Sequence, residues 1–415
     1  MSQTDLHTAH RLPSERRIIA EIWPALLASA LGLLPFTVLS TFLVPIADWA
    51  GAGYAETGTL RGLAGIGAVL AGVALAPLIG RIAPGTVAAA ALGLMGLAAI
   101  VGTFSGLAAL AVFCLATGVS NALLYPALST AAADRFGTTP AAGRAATMVM
   151  TAQTLASTVG APLLALPALF WGWQGNLVAI AVLSIALIPA VLRYGRRGAG
   201  HAGDTPAPAR LGYLAAFRTL AGVPGARALL LVSFGRAGAF MGHLAFLAPL
   251  YAQKFSLDAN WFAFVWSVSG GAFFLGHLLA GRMLNAEDSP ARTRVVMVIS
   301  LGISLVALSG VYLAPVLPLA VAGTAVLSAS HAVVSAAVMS LLVSRCTQVR
   351  GTALSLNAAG MSLGLFLGTA ASGAGLAASG YLAAAAVLCA LTLVALAAAL
   401  TLRAPSPAKT LERQP

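Results

Sequence analysis

Apolar residues run along this chain in long blocks, and the polar residues gather in the gaps between them. A helix that crosses a bilayer needs about 20 mostly apolar residues. Twelve blocks of that kind recur, at roughly 22–45, 58–79, 86–104, 107–131, 145–168, 174–192, 228–251, 260–280, 294–313, 317–343, 352–375 and 380–402. The pattern predicts twelve spanning helices. The third and fourth blocks, and the ninth and tenth, are separated by almost nothing polar.

Composition fixes the solvent. Of 415 residues, 59% are hydrophobic and 8% charged, against about 25% charged in a soluble domain. Even a soluble domain of about 300 residues leaves about a quarter of its chain's surface facing water, and this chain has too few polar residues to cover it. Most of the chain therefore faces lipid.

Charge then sets orientation. Twenty of the 23 Lys and Arg residues fall on one side of the twelve-block map. They precede the first block, occupy the even-numbered connections (Arg81, Arg135, Arg144, Arg282, Arg345 and Arg350 among them), crowd residues 193–227 and end the chain. Lys254 lies on the opposite side. Basic loops stay in the cytoplasm. The expectation is a multi-pass protein of the cytoplasmic (inner) membrane with both termini cytoplasmic. The net charge of +12 is spread over short loops against anionic lipid, so it does not mark a nucleic-acid surface. The first apolar block is too long for a cleavable signal. Three cysteines in or beside the blocks suggest no disulfide framework.

The blocks also repeat. LIGRIA at 78–83 ends the second, and LAGRML at 279–284 ends the eighth. FLVPI at 42–46 matches FLAPL at 246–250, and Arg144 matches Arg350 as the residue opening a block. The offsets are 204 for Pro45 to Pro249, 201 for Arg81 to Arg282 and 206 for Arg144 to Arg350. Such agreement implies duplication. The predicted fold class is an all-α membrane protein of twelve transmembrane helices in two pseudo-symmetric six-helix bundles. The expected parts are an N-terminal bundle over 1–192, a polar, Pro-rich cytoplasmic linker over 193–227, and a C-terminal bundle with its tail over 228–415.

With these features the chain resembles the major facilitator superfamily, and is most similar to its bacterial drug- and sugar-efflux branch. YPALS at 125–129, GRA at 143–145, RGTA at 350–353 and WGWQ at 171–174 extend the resemblance over nearly the whole length. It implies alternating access, a gating loop motif at Gly80 and Arg81 with its repeat at Gly281 and Arg282, and helices two, five, eight and eleven meeting across the bundles. Gly80 stands where the family usually has an acidic residue, and Pro84 and Gly85 where it has basic ones. The antiporter motif of helix five survives only as Gly160, Ala161 and Pro162.

Candidate chemistry comes from polar residues inside the blocks. At about 1.5 Å per helical residue, Arg236 sits roughly 13–14 Å past Arg227, near mid-membrane. Burying an arginine there costs about 2.5–3.5 kcal/mol or more, which marks it as a functional candidate. It is read as the cation that holds an anionic substrate. Gln153, Asn121, Tyr125, His243, His331 and Asn357 are the other candidate substrate contacts, at the bundle interface where such carriers bind. Arg61 is expected at the outer surface, snorkelling or paired with Glu56. His277 is expected to pack. Gly360, Gly364, Gly368 and Ser372 form a small-residue ridge that admits another helix, read as permitting rocking. Gly65, Gly72, Gly270 and Gly271 are read the same way.

No phosphate loop accompanies Lys254 or Lys409, the two lysines, which leaves gradient coupling or facilitation. All eleven acidic residues fall in loops or at block edges. The coupling candidates are Asp48, Glu56, His243 and His331. No catalytic group, metal site or cofactor is expected, and the chain is not read as an enzyme. The expectation is a monomeric secondary active transporter that moves a small-molecule substrate by alternating access, driven by a proton or other ion gradient, with proton-coupled efflux of a drug-like, sugar-like or anionic metabolite foremost. The alternatives are an importer or facilitator of an organic anion, and a non-transporting membrane sensor on a carrier scaffold.

Overall fold

The computed structural model describes residues 14–74, 82–137, 140–198, 213–285 and 290–402. The described residues form helices and connections, with no strand among them. In chain order these are α1 (Glu15–Thr41), α2 (Leu43–Ala50), α3 (Tyr54–Leu60), α4 (Leu63–Ala74), α5 (Pro84–Val101), α6 (Leu107–Asp134) and α7 (Pro140–Gly198). Then follow α8 (Tyr213–Gly222), α9 (Ala226–Phe255), α10 (Ala259–Asn285), α11 (Pro290–Leu313), α12 (Leu317–Arg345), α13 (Arg350–Ser379) and α14 (Tyr381–Thr401).

Local chemistry sets the helix ends. Pro84, Pro140 and Pro290 each open a helix, where a missing N–H costs nothing and φ is already set. Gly51 ends α2 in the left-handed region at φ 62°, as a C-terminal glycine does. Asp258 caps the start of α10: its Oδ1 accepts from the backbone N–H groups of Asn260 and Trp261, both at 2.9 Å.

Ten of these helices are long and apolar enough to cross a membrane. One of them, α7, has 59 residues and crosses twice, because its chain turns at Gly172 (φ 68°, ψ 179°). The Asn176 amide donates to the carbonyl of Leu164 at 2.9 Å and accepts from the Trp171 indole N–H at 3.0 Å, which ties the two arms together. The remaining crossing is the second, divided between α3 and α4. The described residues thus give an all-α membrane protein with twelve crossings among them. Its outer surface is apolar, with Phe170 90% exposed and Val306 73% exposed, as a lipid-facing surface requires.

Three block boundaries differ from expectation. α1 begins at Glu15 and breaks at Phe42, so FLVPI belongs to the break and α2. The second block breaks at Arg61 and Gly62, where the N–H groups of Arg61, Gly62, Ala64 and Gly65 each bond to the carbonyl three residues back. Such tightened turns within a helix mark strain or a hinge. In the expected linker, residues 193–198 prolong α7 and Tyr213–Gly222 form α8. Gly80 and Arg81 lie outside the described residues.

One apolar core gathers residues from α1, α2, α5, α6 and α7, with Trp49 edge-on to Trp173 at 5.2 Å. Two more gather mainly around α9–α14. The glycine ridge of α13 corrects an expectation. A Cβ on Gly364 would stand 2.4 Å from the Phe234 carbonyl, and one on Gly368 2.2 Å from the Gly238 carbonyl. The ridge therefore seats α13 on α9. The contact with the second crossing uses another face of α13: a Cβ on Gly65 would stand 2.1 Å from the Ser362 carbonyl, and one on Gly62 2.1 Å from the Thr369 hydroxyl. Gly270 of α10 meets Ser157 of α7 in the same way, at 2.3 Å, while Gly72 faces open space.

Candidate functional site

Arg236 lies on α9, a helix buried along most of its length. Gly235, Gly238 and Gly242 let neighbouring backbones close over it: Cβ atoms there would stand 2.7 Å from the Leu391 carbonyl, 3.1 Å from that of Gly364 and 3.0 Å from that of Gly368. Arg236 is consequently only 2% exposed. Its Nη2 is 3.9 Å from the Met361 sulfur, and its Nε has no partner. Thioether sulfur is a weak acceptor. Among the described residues no carboxylate forms an ion pair with Arg236; Glu21, for instance, pairs with Arg17 and Arg135.

Asn357 joins this group. Its Nδ2 donates to the same Met361 sulfur at 3.6 Å, and its Oδ1 is buried without a partner. Phe240 stacks on His331 with centroids 4.7 Å apart and on Phe273 at 5.5 Å. His331 lies within electrostatic range of both Arg236 and His243. His243 is 1% exposed, has no partner on either ring nitrogen and sits edge-on to Tyr312 at 5.8 Å. Together they form a buried cluster of one cation, two imidazoles and one amide.

The other candidates form a second group. Asn121 and Tyr125 of α6 face Gly32 of α1, where a Cβ would stand 2.9 Å from the Tyr125 hydroxyl and 3.2 Å from the Asn121 Oδ1. Both oxygens are buried without a hydrogen-bond partner of good geometry. Gln153 of α7 neighbours Tyr125. His277 bonds within its own helix, with Nδ1 3.2 Å from the Phe273 carbonyl. Gly281 and Arg282 close α10, where Arg282 is exposed and Gly281 faces open space.

Two expectations about edge residues change. Arg61 is not at the surface: it is 4% exposed, with its guanidinium over the rings of Phe36 at 5.7 Å and Trp266 at 5.9 Å. The break after α3 and the close approach of α13 at Gly62 and Gly65 carry it under α10 instead. Nor does it pair with Glu56, whose Oε2 accepts from the Gly53 N–H at 3.2 Å and so closes the first turn of α3. Asp48 lines a recess of about 340 Å³ between α2, the end of α9 and the start of α10. A recess of about 390 Å³ beside Pro224 and Thr401 lies elsewhere, and Arg236 lines neither.

Sequence reasoning misses Met361, Phe240, Phe273, Tyr312, Phe36 and Trp266. Met361 has one available signal, its position four residues after Asn357 on the same helix face. The aromatic partners have none, since most of their contacts join distant parts of the chain.

A family profile described as Major Facilitator Superfamily matches residues 25–288. The chain belongs to the major facilitator superfamily. This facilitator is similar in structure to a bacterial homolog of the human lysosomal transporter Spinster, in an inward-facing and unoccupied conformation. The TM-score is 0.70 at 17% identity, covering 94% of this chain and 95% of that one. It is also similar to the nucleoside transporter NupG, with TM-score 0.70 and 15% identity over 92% of this chain and 97% of that one. No curated protein sequence matches it. The two structural likenesses are likenesses of fold.

Proposed function

We propose that this facilitator is a secondary active transporter that carries a small organic anion across the cytoplasmic membrane by alternating access. Two six-helix halves, 1–192 and 228–415, rock about the 193–227 segment, with both termini cytoplasmic. The observation that carries the reading is Arg236, buried at 2% exposure with no carboxylate paired to it among the described residues. An arginine at the middle of a spanning helix costs about 2.5–3.5 kcal/mol or more. A carboxylate or phosphate on the solute supplies the missing counter-charge and two parallel hydrogen bonds. Asn357 and His331 stand beside it to orient the rest of the solute. Proton-coupled efflux is the proposed direction, in keeping with the partial antiporter motif at Gly160, Ala161 and Pro162. His243 and His331 are the proposed coupling groups, because along the sequence every acidic residue falls in a loop or at the edge of an apolar block.

A ligand screen by thermal shift tests the substrate class, since a ligand that binds the folded state raises its melting temperature. Carboxylates or phosphates should be the hits, and exclusively cationic hits would overturn the reading. Proteoliposomes under an imposed proton gradient then test transport. The hit should accumulate against its gradient with the wild type and fail to do so with Arg236→Gln. Net accumulation in the opposite sense would establish import.

A further inference from the structure

Arg61 is a second buried cation, and nothing in the reading above uses it. It stands at the break between α3 and α4, where the chain tightens into turns closed three residues back. Its guanidinium lies against the ring of Phe36 on α1 and that of Trp266 on α10. Aromatic faces attract a cation, but they are no oxygen acceptor for its N–H groups. Its Nε and Nη1 are buried and have no hydrogen-bond partner. Glu56, the acid on α3, is held by the Gly53 N–H instead. A buried charge left without hydrogen bonds or a counter-ion is strongly unfavourable, and aromatic contact offsets only part of that.

The two arginines also differ in depth. Arg236 is ten residues into α9, about 15 Å from its start, whereas Trp266 is seven residues into α10, about 10 Å from the opposite end of the bundle. The geometry points to Arg61 as a second anion-binding position, nearer the α2–α3 end of the route, that takes the carboxylate or phosphate of the solute in turn with Arg236. This rests on the anion-transport reading and adds a subsite to it. Because Trp266 belongs to α10 and Arg61 to the second crossing, parting of the halves removes one aromatic cover and bares the N–H edge to the anion.

Trp266 reports on the site. Its fluorescence is isolated as the difference between the wild type and Trp266→Phe, in nanodiscs of phosphatidylcholine, during titration with inorganic phosphate and with citrate. A saturable change with at least one of them is expected, and none with glycerol. Arg61→Gln should abolish the change. Arg61→Lys, which keeps the charge but loses the planar fork, should raise the half-saturation concentration at least about tenfold. Arg236→Gln should leave the change in place. No saturable change in the wild type overturns the proposal, even if Arg61→Gln fails to fold. So does an unchanged response in Arg61→Lys. Loss of the phosphate response on adding phosphatidylglycerol to the discs would assign the site to lipid and also overturn it. A Trp266 response that persists while Arg236→Gln transports normally would instead sink the Arg236 reading alone.

Discussion

Gly62 and Thr369 meet with no room for a methyl group between them: a Cβ on Gly62 would stand 2.1 Å from the Thr369 hydroxyl oxygen. The contact joins the second crossing to α13, and the carbonyls of Thr59 and Phe366 stand at 3.1 Å and 3.2 Å from the same point. Overpacking of this kind costs about 1–3 kcal/mol. Gly62→Ala should therefore lower the apparent melting temperature. Adding Thr369→Ala should recover part of the loss, because the nearest clashing atom is gone. Strictly additive effects in the double variant would show that the two residues are not coupled.

Arg236 gives a prediction of opposite sign. Replacing even a buried ion pair by apolar residues of similar volume is often neutral or stabilising, by about 1–4 kcal/mol, and a lone buried charge carries the desolvation cost without the pair's attraction. Arg236→Met should keep or raise the apparent melting temperature while transport is lost. A large fall in melting temperature would mark the arginine as structural.

Asn176 is 1% exposed and holds the turn of α7 through both ends of its amide. Asn176→Ala leaves the buried Leu164 carbonyl without its partner and releases the Trp171 N–H, and a buried unmet group costs about 1–3 kcal/mol. Thermal unfolding should show a clear loss of stability, larger than that of Trp171→Phe, since Trp171 is 52% exposed. Equal losses would refute the clamp.

Glu21 stands 3.3 Å from Arg17 and 3.6 Å from Arg135, with Arg17 the most exposed of the three. Exposed pairs contribute about 0–1 kcal/mol. Glu21→Gln should shift the apparent melting temperature slightly, and the shift should shrink as salt screens the charges. A large, salt-independent shift would contradict this.

The medium, the number of crossings and the doubled pattern are legible in the order of residues alone. The medium and the number of crossings follow from apolar runs of about 20 residues, which lipid requires, and the doubling follows from the repeated spacing of Pro45, Arg81 and Arg144 against Pro249, Arg282 and Arg350. Arg236 is legible too, as a cation far inside a helix, because depth along a helix follows from residue number. That Asn357 and Arg236 share the Met361 sulfur is not, nor is the seating of the α13 glycines on α9. Arg61 is the clearest case. Position along an unbroken second block puts it at the outer surface. Three-dimensional packing breaks the helix there, closes α13 on Gly62 and Gly65, and covers the guanidinium with Phe36 and Trp266. Contacts between residues hundreds of positions apart are set by how the helices fit together, which spacing along the chain does not record.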